Sequence, residues 1–583
     1  MNTEWSLKEL YNGFDDERFI RDEKELDSLI AETEKLSQSF EGSPAEVLKK
    51  EITLSTRINE LLTLLFSYPQ FRQCTNTSDV ESAAVIGRLS QKLSALAAPE
   101  AKFVKYVASV PDLEEVIAGD ALLTEHKFHI MNIKEREKYS LSPDVEQVIS
   151  LYSISGSSAW SDLQSYLTST VPVEYDGGIT NLSDIRNKAY DADPAVRKAA
   201  YEAEIKAYDR VKDGVAFALN SIKLEVINRC KLRGYDSPLD EALKNARMKK
   251  ETLDALIGAM EEYLPKFHEY LKAKAKLLGH ENGLPWYDLF APLEGNTRQF
   301  TTEEARDYLV SLFSGFDKDE AEMIRRAFDE EWIDFYPHDG KVGGAFCSDL
   351  HPLGQSRILT NYDGTLGDVV TLAHELGHAF HNFCLRENSI LNTDVSMPVA
   401  ETASTFNEVV AMNAAISAET DPTAKRALIE SQLMDATQII CDIYSRYVFE
   451  TSVFAKRENE FLFAPSLCEL MLDAQRKGYG DGLDQSCLHP YMWLCKSHYY
   501  SGGLSFYNFP YAFGGLFARG LYAKYLTDGE SFVPLYKKLL RTTGVATVED
   551  AALVAGIDLT DKEFWRASLQ ILADEIDEFI SLC

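Results

Sequence analysis

The run Thr371-Leu372-Ala373-His374-Glu375-Leu376-Gly377-His378-Ala379-Phe380-His381 sets two imidazoles four residues apart, with a carboxylate beside the first. On a helix rising ~1.5 Å per residue, His374 and His378 share one face about 6 Å apart along the axis, where both can bind one zinc ion. Glu375 then projects beside the ion, where it can take a proton from a zinc-bound water. Asp368, after Gly367, can cap this helix. With 11 histidines in the chain, an HExxH arises by chance with a probability of roughly 0.02, so the site needs support from further residues.

A catalytic zinc takes a third protein ligand and keeps one position open. The metzincin arrangement requires Gly three and His six residues after the second His; His381 and Cys384 stand there, which excludes it. Downstream lies Met397-Pro398-Val399-Ala400-Glu401-Thr402-Ala403-Ser404-Thr405-Phe406-Asn407-Glu408. Pro398 can start a second helix on which Glu401 and Glu408, seven residues apart, share a face. One carboxylate can bind zinc while the other accepts an imidazole N–H, and the spacing suits either assignment.

HELGHAFH followed by ETASTFNE resembles the zinc oligopeptidase family that contains oligoendopeptidase F and thimet oligopeptidase, where HExxH precedes a Glu in an E-x-x-S-x-x-x-E context. The resemblance covers most of the chain, is strongest between about Gly343 and Gly520, and lies nearest to oligoendopeptidase F. It implies one catalytic zinc held by His374, His378 and Glu401, with Glu375 as general base and Glu408 supporting an imidazole from behind. It also implies a mostly α-helical, clam-like molecule in two parts, with a small β-sheet beside the HExxH helix. A deep central channel would admit short peptides and exclude folded proteins.

Attack on a peptide carbonyl creates an oxyanion, for which a donor besides the metal is expected. The stretch from His498 to Gly514 carries imidazole and phenol groups, which donate hydrogen bonds without an obligatory charge. The resemblance points to His498, Tyr507 and Tyr511 for this task. Ser501-Gly502-Gly503 lengthens the His-to-Tyr interval relative to some members, so either Tyr can serve. Tyr499, Phe506 and Phe513 read as core. Gly502 and Gly503 can hinge a loop over substrate or form a plain turn. Gly343 and Gly344, with the strand around Ile358, can offer backbone groups to an extended peptide by strand addition, or merely lead into the helix.

These residues need a scaffold, and the start signals in the chain are mostly helical. Ser43-Pro44-Ala45-Glu46, Ser78-Asp79-Val80-Glu81, Ser142-Pro143, Asp193-Pro194 and Thr560-Asp561-Lys562-Glu563 each precede a stretch of period 3.6. Strand signals are few: Val171, Val173 and Tyr175 alternate ahead of Asp176-Gly177-Gly178, and Ser356 to Tyr362 precedes Asp363-Gly364. The expected division is a helical domain over 1–112, a connecting helical region with a hairpin over 113–183, and a metallopeptidase domain over 184–583.

Composition narrows the function. Fifty-nine basic against 92 acidic residues leave a net charge of −33, which repels phosphate backbones and anionic lipid, so neither nucleic acid nor a membrane is an expected partner. Nine scattered cysteines without a CxxC pair suit a reducing compartment, and the start carries no secretory pattern; a cytoplasmic location is expected. Oligomeric state has no signature. The expected activity is zinc-dependent hydrolysis of internal bonds in short peptides. A carboxypeptidase would need a fixed cation for the terminal carboxylate, with Arg519 one candidate. A non-catalytic peptide-binding protein would need a fourth protein ligand on the metal.

Overall fold

The computed structural model describes residues 2–293 and 299–583. Ser43 caps the helix Pro44–Thr75: its backbone N–H donates to Glu46 Oε2 at 2.8 Å, and the Glu46 N–H donates back to Ser43 Oγ at 3.4 Å. Two orphan donors are thereby satisfied. Asp79, Asp193 and Asp561 likewise cap the helices Val80–Leu93, Pro194–Arg233 and Lys562–Ser581 through their side chains, and Pro143 opens Pro143–Ser153. With 71% of residues helical, the protein is mostly α-helical, as expected. No helix among the described residues is long and apolar enough to cross a membrane.

The expected hairpin forms from β1 (Val173–Tyr175) and β2 (Gly178–Thr180). Both turn residues, Asp176 (φ 48°) and Gly177 (φ 72°), adopt the positive φ that a two-residue turn on twisted strands requires. A second sheet holds β3 (Ile333–Asp334), β4 (Phe346–Leu350) and β5 (Gln355–Leu359) in the order β3-β5-β4. Strand β5 is central, parallel to β3 and antiparallel to β4, with Cys347 opposite Ile358. Strand β4 is therefore an edge.

The beginning of the chain closes onto this sheet. Arg357 of β5 donates from Nε to the Ser6 carbonyl at 2.7 Å and from Nη2 to Glu9 Oε2 at 3.0 Å, and the Phe335 N–H donates to the Thr3 carbonyl at 3.0 Å. Leu350 and Leu359 pack in one apolar cluster with Trp5, Leu10, Phe71 and Leu89, while a much larger cluster runs from Val171 to Phe579.

Candidate metal centre and its surroundings

The helix Leu366–Leu385 follows β5 and packs on the sheet and on the helix Thr402–Ala418. Its cap corrects the expectation: Thr365, not Asp368, is the capping residue. The Asp368 N–H donates to Thr365 Oγ1 at 3.1 Å and the Thr365 N–H to Asp368 Oδ2 at 2.9 Å. Asp368 is thus the third helical residue of a capping box, where an acid returns a hydrogen bond to the cap. Leu372, Ala373, Leu376, Ala379 and Phe380 are buried, leaving His374 and His378 about one quarter exposed. Gly377 permits a close helix approach, because a Cβ there would stand 2.5 Å from the Ala403 carbonyl oxygen and 2.6 Å from Ser404 Cα.

The second segment also departs from the continuous helix expected from Pro398. Met397–Ala400 forms a single turn, Glu401 (φ −92°, ψ 10°) interrupts it, and the next helix begins at Thr402. Glu401 Oε2 lies 3.4 Å from His374 Nε2 and 3.2 Å from His378 Nε2, and those two nitrogens are 3.2 Å apart. Ser404 Oγ donates to the same carboxylate oxygen at 2.8 Å. Seven residues on, Glu408 Oε1 lies 2.6 Å from His374 Nδ1.

This is the one group of metal-ligating side chains of its kind among the described residues, and its dimensions fit zinc. Four ligands on arms of ~2.0–2.1 Å in a tetrahedron stand about 3.3–3.4 Å apart, close to the separations found here. The carboxylates draw positive charge to this point. Burial disfavours a charge on His374, but hydrogen bonds with Glu401 and Glu408 outweigh it and hold its pKa at about 10. Burial likewise opposes the Glu401 charge, yet the two imidazoles hold its carboxyl below the usual range. Glu375 is buried, which pushes its pKa up against the pull of both imidazoles, and its Oε2 has no hydrogen-bond partner among the described residues.

His498, Tyr507 and Tyr511 come together as a row. The His498 and Tyr507 ring centroids are 6.5 Å apart, and Tyr507 meets Tyr511 edge-on at 5.4 Å. Tyr511 lies on the first turn of the helix Phe509–Asp528, whose Gly514 faces Glu401: a Cβ there would stand 3.4 Å from Glu401 Cβ. Burial, then Tyr507, pushes the Tyr511 hydroxyl up to about 12, while burial and the cations Arg446, Lys496 and Lys223 bring His498 down to about 3. Both side chains are thus neutral hydrogen-bond donors near pH 7. Tyr499, Phe506 and Phe513 are buried, as expected of core.

Sequence reasoning missed what holds this row. Asn508 donates from Nδ2 to Glu450 Oε2 at 3.0 Å, Glu450 takes Lys223 Nζ at 2.7 Å, and all three side chains are buried. Asn508 Oδ1 also accepts the Phe509 N–H at 2.7 Å, capping the helix that carries Tyr511. Asparagine at a helix start is the only local signal; its ion-pair partners lie 58 and more residues away.

Gly343 and Gly344 are exposed just before edge strand β4, where Asn361 Nδ2 donates to the carbonyls of Val342 at 3.1 Å and Gly344 at 2.8 Å. Gly502 and Gly503 line a different cavity, of about 970 Å³, whose lining includes Ser157, Glu225 and Arg229 but none of the metal-ligating side chains. Gly502 abuts Ser157, and its carbonyl accepts a hydrogen bond from Arg229. Arg519 is buried within electrostatic reach of Glu575, Glu408 and Asp435 and donates to the Gly515 carbonyl at 3.0 Å, while its Nε has no hydrogen-bond partner among the described residues.

Known proteins resemble this chain in sequence and in fold. The sequence profile described as Peptidase family M3 matches residues 188–571, and the one described as Oligopeptidase F matches residues 96–171. Oligopeptidase PepF of Bacillus subtilis (strain 168) is 24% identical over 597 residues, spanning 99% of this chain and 87% of that protein. An oligoendopeptidase F homolog of Lactococcus lactis subsp. lactis (strain IL1403) is 27% identical over 417 residues, 70% of this chain and 66% of that protein. Among solved structures, one from Chlamydophila abortus, provisionally assigned as a peptidase, superposes with a TM-score of 0.87 at 20% identity, covering 100% of this chain and 98% of that one. Oligoendopeptidase-F from Enterococcus faecium gives 0.70 at 19%, covering 97% and 98%. At those identities the structures establish a shared fold.

Proposed function

Because this chain belongs to peptidase family M3 and is a metallopeptidase, we propose that it is a zinc-dependent endopeptidase that hydrolyses internal bonds of short peptides. The convergence of His374, His378 and Glu401 carries the reading. Those three side chains would hold the ion, leaving one position open. When bound, zinc polarises the scissile carbonyl and acidifies water. Glu375 accepts the proton of the attacking water at its unpartnered Oε2 and delivers it to the leaving amine. His498, with Tyr507 or Tyr511, donates hydrogen bonds to the carbonyl oxygen as its charge grows. The free edge of β4, after Gly343 and Gly344, pairs with the peptide backbone and so binds without demanding a particular sequence. The catalytic unit is taken as residues 184–583, and the nine unpaired cysteines support a reducing, cytoplasmic setting.

The test is cleavage of a peptide blocked at both ends, with products identified by mass spectrometry. Internal cleavage that stops on chelation and returns with zinc is the expected result. No cleavage by zinc-loaded protein, with turnover only of peptides bearing a free C-terminus, would replace this reading with a carboxypeptidase.

A further inference from the structure

Behind the HExxH helix, three buried polar groups lack hydrogen-bond partners. Glu320 lies on the helix Lys318–Asp329 and Tyr536 on Val533–Thr542, and both helices pack against Leu366–Leu385, as does the helix that carries Asn407. All three side chains are 0% exposed. Neither carboxyl oxygen of Glu320, nor Asn407 Oδ1, nor the Tyr536 hydroxyl has a partner among the described residues. They are neighbours: Asn407, Asp317 and Lys537 act on the Glu320 carboxyl, and Glu320 acts in turn on the Tyr536 hydroxyl. Lys537 is itself engaged by Asp317 at 3.0 Å and by Asp319. Leaving one such group unmet is costly, and three together call for an explanation.

The other end of the Asn407 amide is bonded. Its Nδ2 donates to the Ala373 carbonyl at 3.2 Å, and the next residue along each helix makes the next contact, Glu408 to His374 at 2.6 Å. Two consecutive rungs thus tie the helix of Glu408 to the helix of the histidines, one turn before the close approach that Gly377 permits. With Nδ2 committed, only an acceptor remains free on Asn407. A carboxylate cannot answer it, because it too only accepts; a carboxylic acid can, because it carries one O–H donor. Its second oxygen is then free to accept from the Tyr536 hydroxyl. One proton on Glu320 therefore satisfies all three groups, and burial favours that form by raising the Glu320 pKa to about 8.

We propose that Glu320 is a positioning residue for the metal centre: as a carboxylic acid it accepts from the Tyr536 hydroxyl on one oxygen and donates to Asn407 Oδ1 from the other, fixing the amide that grips the Ala373 carbonyl and hence the depth at which His374 is presented. The consequence for turnover rests on the zinc endopeptidase reading; the hydrogen-bond line itself does not. Its start is fixed by packing, since the Tyr536 ring lies 4.7 Å from the ring of Phe406, the residue before Asn407. Because each member both receives and passes on a hydrogen bond, the line acts as a unit, and removing the acid in the middle releases both ends.

The experiment has two arms. In the first, infrared spectra of the metal-free protein are recorded at about pH 6, where an ordinary Glu is ionised. The difference between the parent and Glu320→Gln should contain a protonated-carboxyl stretch, and Tyr536→Phe should shift that band. In the second, each variant is loaded with zinc for kinetics and with cobalt(II) for visible absorption. Glu320→Leu, which neither donates nor accepts, should alter the cobalt spectrum and lower kcat about tenfold or more with KM little changed. Glu320→Gln keeps an acceptor and a donor and should restore both readouts towards the parent. Absence of the protonated-carboxyl band would overturn the line whether or not Glu320→Leu folds. A parent-like kcat and cobalt spectrum in folded Glu320→Leu, or Glu320→Gln impaired as much as Glu320→Leu, would overturn the positioning role. No peptide cleavage by the zinc-loaded parent would instead overturn the endopeptidase reading and leave the infrared and cobalt results to decide this one.

Discussion

Glu408 Oε1 sits 2.6 Å from His374 Nδ1, while Nε2 of the same ring faces Glu401 at 3.4 Å. The imidazole is held at both ends by carboxylates from either end of a seven-residue interval, which fixes both its tautomer and its plane. Glu408→Gln keeps an acceptor but removes the charge, and zinc affinity should fall about 10–100-fold. Competition with a fluorescent chelator measures this; an unchanged affinity would remove Glu408 from the metal site.

Glu375→Gln should retain zinc and lower kcat by about 10²–10⁴-fold, because the amide fills the same space yet accepts no proton. Metal content by mass spectrometry, read beside turnover, separates this from loss of the ion. Near-normal turnover in the zinc-loaded variant would assign proton transfer elsewhere.

Gly377→Ala should disturb the metal site without touching a ligand. The new methyl would lie 2.5 Å from the Ala403 carbonyl oxygen, against backbone that cannot swing aside as a side chain could. Overpacking of this kind costs about 1–3 kcal/mol, and shifting the two helices moves Glu401 relative to both histidines. Denaturant midpoints and zinc titration should change together; a variant as stable and as tight for zinc as the parent would show that the helices reseat freely.

Glu320 supplies a pH dependence. Its side chain is wholly buried, and burial raises its pKa from 4.5 to about 8, with only Asn407 and Lys537 opposing. An acid raised in the fold penalises stability as pH increases. Below about pH 4.5 both states are protonated; between there and about 8 the unfolded chain ionises and the folded one does not, at up to ~1.4 kcal/mol per pH unit. Glu320→Gln should therefore stabilise the protein increasingly across that window and have little effect below it. Melting temperatures at the two ends of the window test the sign, and an equal shift at both ends would mean the carboxyl is ionised in the fold.

The parts legible in the sequence are those set by short-range geometry. Four-residue spacing places His374 and His378 together on any helix, and the caps at Ser43, Asp193 and Asp561 depend on side chains within three residues of the helix start. The division of labour between Glu401 and Glu408 is implied by the family resemblance but is not legible from spacing, because it depends on a break at Glu401 that neither proline nor glycine announces. The Thr365 cap was misplaced by three residues since Thr and Asp are partners in one box and either can be read as the cap. Long-range contacts were invisible for a simpler reason. The buried line from Asn508 through Glu450 to Lys223 brings together residues hundreds of positions apart, with no local pattern to mark them.

The clasp of Arg357 by Ser6 and Glu9 joins groups up to 351 positions apart in the chain. A ribosome adding about 5–20 residues per second needs about 20 to 70 s to make the second partner after the first. Until then Trp5, Leu10 and Phe71 wait without Leu350 and Leu359 to cover them, while the strand that leads into the metal-binding helix does not yet exist. This segment thus completes its packing only once β5 has been made, together with the sheet on which the metal-binding helix rests.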